Sequence, residues 1–316
     1  MVKALLTLPT NFFNAYSELA TNIEKLGVNL KCLISDQPIK KEVIIENIKD
    51  VEIYIVGLEK VDKEIIDAAA NLKYIIKQGV GIDNIDVSYA AEKNIQVTNA
   101  PGQNASSVAD LTLGLILSIA RNIPETNQMV KTGQWDIKMG YDLLGKKLGI
   151  IGFGAIGKEI ARRAGAFGMN MIAYGNFKDY EAAEKLKVEF VELNELLSTS
   201  DFIVISTSLT NKSYHLINEV SFNIMKKTAF LINISRGEVV DEDALIKALK
   251  EGQINGAALD VYKTEPPNLD LVELPNVICT PHIGGSTFEC ASRIGSITEE
   301  NIKKYIARES LNFVTN

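Results

Sequence analysis

Leu148-Gly149-Ile150-Ile151-Gly152-Phe153-Gly154-Ala155-Ile156-Gly157 is the stretch that decides the fold. An apolar strand-like run, Leu148 to Ile151, enters the glycines, and a helix-like run, Lys158 to Phe167, leaves them. GxGxxG alone is a weak pattern, but between a strand and a helix it reads as a dinucleotide-binding turn. Gly152 then makes the tight turn, Gly154 lets a pyrophosphate approach the backbone, and Gly157 lets the helix pack closely on the strand. The positive end of the helix dipole lies beneath the anion.

The motif starts near the middle of a 316-residue chain, so another domain precedes it. A net charge of -7 argues against nucleic acid and against an anionic membrane surface as partners. The three cysteines, Cys32, Cys279 and Cys290, form no CxxC pair and leave an odd one over, which fits a reducing cytoplasm. No metal-ligand cluster is visible. Met1 to Pro9 lacks the features of a signal peptide, and the apolar stretch Leu111 to Ala120 is far shorter than the roughly 20 residues of a membrane span. A cytoplasmic chain is expected.

Apolar runs at Ala4 to Leu8, Leu30 to Ile34, Ile53 to Val56 and Tyr74 to Ile76 alternate with helix-like stretches. The pattern resumes after Gly152 at Met171 to Tyr174, Phe202 to Ser206, Ala229 to Asn233, Gly256 to Leu259 and Val277 to Cys279. Such alternation means βαβ units and two parallel sheets, an α/β fold with two doubly wound domains. The long helical pattern Ala105 to Lys131 links the halves. The last helix, Phe288 to Ala307, follows the second sheet and is expected to return to the first domain. This gives one discontinuous domain, 1–99 with 287–316, and a second, 100–286. A ligand is expected at the carboxyl ends of the strands, in the cleft between the domains.

Only two histidines occur. His282, in Thr280-Pro281-His282-Ile283-Gly284-Gly285, follows a strand and has glycines that allow close backbone approach to a ligand. His215 has no such frame and reads as a packing residue. Arg236, in Asn233-Ile234-Ser235-Arg236-Gly237, offers a planar fork for a carboxylate. Glu265, in Asp260-Val261-Tyr262-Lys263-Thr264-Glu265-Pro266-Pro267, provides a carboxylate able to orient an imidazole and favour its protonated form.

Together these motifs resemble the D-isomer-specific 2-hydroxyacid dehydrogenases over nearly the whole chain. The resemblance also covers Gly79-Val80-Gly81-Ile82-Asp83-Asn84-Ile85-Asp86 and Asn104 to Asp110. It implies a flavodoxin-like substrate domain and a Rossmann NAD(P)-binding domain. The activity implied is hydride transfer between NAD or NADP and a small 2-oxo or 2-hydroxy acid such as glyoxylate, hydroxypyruvate or 3-phosphoglycerate. His282 resembles the acid/base, Glu265 its partner, and Arg236 the residue that holds the substrate carboxylate and polarises its carbonyl, with the Val80 and Gly81 amides sharing the carboxylate. Gly152, Gly154, Ala155, Ile156 and Gly157 would form the pyrophosphate turn. Thr207, Ile234, Ser235, Arg236, Asp260, His282 and Gly284 would contact the cofactor, with Asp260 on the nicotinamide carboxamide. A homodimer through Ala105 to Lys131 and the arm to Tyr141 is expected, since that helix is apolar on more than one face.

Two departures stand out. Where NAD-preferring members carry an acid, the chain reads Tyr174-Gly175-Asn176-Phe177-Lys178, so Gly175 and Asn176 meet the ribose, a 2'-phosphate is not repelled and would be met by Asn176 with Lys178, and the choice between NAD and NADP stays open. Ser206-Thr207-Ser208 replaces a histidine and proline of many relatives. Gly57 stands where some phosphoglycerate-specific relatives have arginine, and Lys77 is a possible substitute for it. The corepressors that use this fold to sense NAD(H) are the alternative reading.

Overall fold

The computed structural model describes all 316 residues. The chain divides into two compact units, residues 1–104 with 285–316, and residues 105–284.

The first unit holds five parallel strands: β1 (Lys3–Leu8), β2 (Asn29–Ile34), β3 (Ile53–Val56), β4 (Tyr74–Lys77) and β5 (Gln96–Thr98). Their order is β2-β1-β3-β4-β5, the flavodoxin-like arrangement. Every residue of β3 is buried because both faces are covered. Tyr54 and Val56 pack with Ile44, Ile65 and Ile75, whereas Ile53 and Ile55 pack with Leu19, Ile23 and Ile302. Ile302 belongs to helix Phe288–Ala307, which places the chain's end in this unit. The tail then bridges Val314 to Thr98 beside the edge strand β5.

The unit's limits differ from the expected 99/100 and 286/287. Ala100 packs with Cys290 and Ile294, so the chain leaves this core only at the start of helix Ala105–Ala120.

The second unit is a seven-stranded parallel sheet. Its strands are β6 (Lys147–Ile151), β7 (Asn170–Tyr174), β8 (Val188–Phe190), β9 (Phe202–Ile205), β10 (Phe230–Asn233), β11 (Gly256–Leu259) and β12 (Val277–Cys279), ordered β12-β11-β10-β9-β6-β7-β8. Strand order reverses between β6 and β9, the switch point where doubly wound sheets bind nucleotides. Two short strands, β5 and β8, do not show as apolar runs in the sequence, since they have three residues each and include Gln96 and Glu189.

The expected single helix from Ala105 to Lys131 is two, Ala105–Ala120 and Ile123–Lys131. Pro124 has no N–H to give Ala120 O, and Asn122 turns left-handed at φ 53°. The freed Ala120 carbonyl accepts Tyr141 N at 2.8 Å instead.

At the fingerprint, Gly152 has φ 99°, and a Cβ there would stand 2.7 Å from Thr207 N. A Cβ on Gly157 would lie 2.3 Å from Gly152 O, whereas one on Gly154 would meet nothing within 4 Å. Gly157→Ala is therefore expected to lower the thermal midpoint by about 2 to 10 °C, the effect of ~1–3 kcal/mol of overpacking. Gly154→Ala should melt with the parent, and calorimetric scans of both variants check the pair.

Candidate active site

The carboxyl ends of the second unit's strands gather most of the expected residues. Gly152 follows β6, Gly175 follows β7, Ser206 and Thr207 follow β9, Arg236 follows β10, and the Glu265 and His282 loops follow β11 and β12. The fingerprint presents exposed Gly154 and Ala155 at the start of the 12-residue helix Ala155–Ala166. The open space at Gly154, with this helix terminus, fits a dinucleotide pyrophosphate. Ser206 Oγ donates to Gly152 O at 2.7 Å, tying the β9 loop to the same turn.

His282 and Glu265 meet. The ring Nδ1 lies 3.1 and 3.0 Å from the two Glu265 carboxylate oxygens, and both side chains are nearly half exposed, 47% and 43%. With Nδ1 committed to the carboxylate, Nε2 is the nitrogen left to exchange a proton with a ligand. His282 itself adopts φ 53°, an unusual conformation for a residue other than glycine, so the surrounding loop must hold it there.

Asp260 supplies that hold. The residue is only 1% exposed, and its carboxylate accepts Thr280 Oγ1 at 2.6 Å, Ile283 N at 2.8 Å and Gly284 N at 2.8 Å. It thus binds the backbone on the far side of His282 and the threonine before it. The resemblance places Asp260 at the nicotinamide carboxamide, and its three bonds to the His282 loop give the same carboxylate a structural role besides. A Cβ on Gly284 would stand 3.1 Å from Asp260 Oδ2, so glycine is what lets this loop close on the carboxylate.

A matching clamp shapes the Arg236 loop. Asn233, 1% exposed, accepts Ser235 N and Ser235 Oγ at 3.1 and 3.0 Å and donates to Arg236 O at 2.9 Å. Ile234 and Ser235 are buried, while Arg236 is half-buried and its Nη1 donates to Ser235 O at 2.7 Å. Behind the arginine, a Cβ on Gly237 would fall 1.9 Å from the Tyr262 carbonyl carbon. That contact presses the Arg236 loop against the segment leading to Glu265. Asn233 and Thr280 were not singled out from sequence, although a short polar residue closing an apolar strand before a bent loop is the available signal.

His215 lies outside this group. It stacks on Tyr214 with ring centroids 4.1 Å apart, gives its backbone N–H to Glu238 O at 2.9 Å, and has Nδ1 3.8 Å from Asp241. Val80 and Gly81 belong to the first unit, half-buried in the loop after β4. Asn99 Nδ2 holds Val80 O at 2.6 Å, and Ala100 N holds Gly79 O at 2.9 Å; these bonds do not use the Val80 and Gly81 N–H groups. Lys77 is not available as a substitute cation. It is 9% exposed and donates to Gly57 O and, at 2.8 Å, to Asn84 Oδ1.

The profile of the D-isomer specific 2-hydroxyacid dehydrogenase, NAD binding domain, matches residues 113–284. The D-3-phosphoglycerate dehydrogenase of Methanocaldococcus jannaschii is 47% identical over 281 residues, 87% of this chain, which spans only 54% of that longer protein. The glyoxylate reductase of Thermococcus gammatolerans is 42% identical over 278 residues, 84% of this chain and 83% of the relative. Among solved structures, D-lactate dehydrogenase from Aquifex aeolicus complexed with NAD and lactic acid superposes with a TM-score of 0.85 at 30% identity, covering 97% of this chain and 96% of that one.

The Asp260 clamp and the Glu265 contact should separate on substitution. Asp260→Asn places an NH2 or a weaker acceptor against two backbone N–H groups. It is expected to lower the thermal midpoint by about 3 to 10 °C, for the ~1–3 kcal/mol cost of an unsatisfied buried group, and to lower turnover as well. Glu265→Gln should leave the melt unchanged and cost about 10- to 100-fold in turnover, as for a lost charge-assisted bond. Melting curves and initial rates on the same preparations check both.

Proposed function

The chain belongs to the D-isomer-specific 2-hydroxyacid dehydrogenases, and on that premise we propose that it interconverts a small, unphosphorylated 2-oxo acid and the corresponding D-2-hydroxy acid. The observation that carries the proposal is the His282–Glu265 pair at the strand ends of a dinucleotide-binding sheet. When bound, the nicotinamide supplies or accepts the hydride at substrate C2.

In reduction, protonated His282 gives its Nε2 proton to the substrate oxygen, and Glu265 stabilises the ring while it is charged. In oxidation the neutral ring takes that proton back. Arg236 holds the substrate carboxylate and stabilises charge on the reacting oxygen, the preorganised electrostatic contribution that is usually large in such sites. In the first unit, the Val80 and Gly81 amides are assigned to carboxylate binding. Gly154, Ala155 and Ile156 take the pyrophosphate, Thr207, Ile234 and Ser235 line the nicotinamide side, and Gly175 and Asn176 take the adenosine ribose.

The preference for an unphosphorylated acid rests on the first unit. Gly57 offers no side chain to a phosphate, and a Cβ there would already crowd Leu8 Cδ2 at 2.9 Å and Thr7 O at 3.1 Å. Lys77 is committed to Gly57 O and Asn84. Initial rates with glyoxylate, hydroxypyruvate, pyruvate and phosphohydroxypyruvate test this, and fastest turnover of the phosphorylated acid would refute it.

We further assign the protein to a homodimer, with the contact narrowed to the arm that is part of the expected surface. Helix Ala105–Ala120 buries Val108, Leu113, Leu115, Ile116 and Ile119 inside its own unit and leaves Leu111 and Leu117 half-buried, so little of its apolar surface is left for a second chain. The arm after it is different: Trp135, Ile137 and Met139 are 85%, 89% and 86% exposed. Apolar side chains so close in sequence and so exposed mark an interaction surface, and a second copy of the chain is the partner. No helix is long and apolar enough to cross a membrane.

His282→Ala is expected to reduce turnover about 100- to 10,000-fold, the range of general acid–base catalysis, while His215→Ala leaves it within about twofold. Steady-state rates at saturating cofactor check the contrast. By sedimentation velocity at micromolar concentration the parent should run as a dimer and Trp135→Asp/Ile137→Asp as a monomer; a monomeric parent refutes the assignment.

A further inference from the structure

The adenosine end of the cofactor site carries an unusual charge arrangement. In doubly wound sheets the ribose lies against the carboxyl end of the strand after the fingerprint, where an acid accepts its hydroxyls. Here that end is Gly175, and a Cβ on it would stand 3.7 Å from Phe153 N and 3.8 Å from Gly152 Cα. The position therefore faces the fingerprint turn without a carboxylate. Asn176, Phe177 and Lys178 follow, all exposed.

This short loop ends at Asp179, which caps helix Tyr180–Leu186 by accepting Ala182 N at 3.0 Å through Oδ1. Its other oxygen, Oδ2, accepts from Lys158 Nζ. Lys158 comes from the fingerprint helix itself, where its N–H bonds Gly154 O at 3.0 Å. The loop that meets the ribose is thus bounded by the pyrophosphate turn at one end and by the Lys158–Asp179 pair at the other. Two ammonium groups and one carboxylate flank it, and that carboxylate is already engaged.

Resting on the dehydrogenase reading above, we propose that Lys158 and Lys178 form a receptor for the 2'-phosphate of NADPH, with Asp179 holding Lys158 until the phosphate displaces it. The exchange is feasible because the two roles of Asp179 use different oxygens. Losing Lys158 from Oδ2 leaves the helix cap on Oδ1 intact. The side chains of the pair are 29% and 28% exposed, so the ion pair is partly shielded from solvent. Hydrogen bonding from Lys158, then from the Ala182 amide, holds the Asp179 carboxyl below its ordinary range, so it stays a charged competitor at neutral pH. A phosphate near a dianion, with three acceptor oxygens, attracts an ammonium point charge more strongly than a single carboxylate does. NADH, with a hydroxyl in place of the phosphate, leaves the pair closed. The chain consequently accepts both cofactors, and the Lys158–Asp179 pair sets the ratio.

Calorimetric titration of the full chain with 2',5'-ADP and with 5'-AMP reads the receptor without turnover, and the ratio of kcat/KM for NADPH and NADH reads it in the reaction. Lys158→Ala is expected to lower the affinity ratio of 2',5'-ADP to 5'-AMP about three- to tenfold, the value of one partly exposed charged contact. Asp179→Asn, which keeps a capping side chain, should raise that ratio by a similar factor. Gly175→Asp should lower it by restoring a carboxylate. Ratios unmoved by both Lys158→Ala and Asp179→Asn, with NADH still oxidised by a 2-oxo acid, overturn the receptor and leave the dehydrogenase reading standing. Absence of turnover with every 2-oxo acid, while the nucleotide ratios shift as expected, overturns the dehydrogenase reading and leaves the receptor.

Discussion

Helix Ala155–Ala166 can sit against the end of β6 only because no Cβ stands between Gly157 and the Gly152 carbonyl, a separation of 2.3 Å for the atom that is missing. The rest of the second unit is arranged around this approach. It brings the helix terminus to the switch point between β6 and β9, where the Thr207 backbone also comes close to Gly152. Anion binding there needs no charged side chain, since unpaired helix N–H groups and the dipole already favour it. The chain can therefore be acidic overall and still receive a pyrophosphate.

Loops carry the proposed chemistry, and buried polar side chains at strand ends make those loops rigid. Asp260 and Asn233 act alike on neighbouring strands, each drawing loop backbone onto its own side chain. In a low-dielectric setting such bonds strengthen, and the cost of leaving either group unpaired makes the loop conformation nearly unique. His282 keeps its left-handed backbone because the Asp260 clamp binds the residues that follow it. The imidazole is then presented to Glu265 without help from a regular element.

The first unit solves a different problem with the same architecture. Its sheet is buried on both faces, so β3 and β4 read as nearly unbroken apolar runs, and the polar residue that ends β4 is turned inward. Lys77 directs its ammonium to a carbonyl and an amide oxygen inside the unit. A cation that looks available in sequence is in effect a structural tie between the loops after β3 and β4.

The periodicity of apolar residues and the glycine spacing were enough to predict a parallel α/β chain and its tight strand–glycine–helix turn, because burial on both faces and the exclusion of Cβ atoms are local demands written into residue type, while the return of the last helix followed from its place after the second sheet. Residue type also singled out Arg236, Glu265 and His282 for the chemistry proposed here. Strands as short as β5 and β8 were invisible, since three residues with a polar member carry no periodic signal and form only when a neighbour pairs with them. The break at Asn122 depended on Pro124 withholding one N–H and on Tyr141, far along the chain, supplying it. Only tertiary structure decided that Asp260 secures the His282 loop, that Lys77 faces inward, and that Lys158 rather than a residue of the loop after β7 holds Asp179. These are choices among partners distant in sequence, and they follow from which side chains the folded sheet brings within hydrogen-bonding distance.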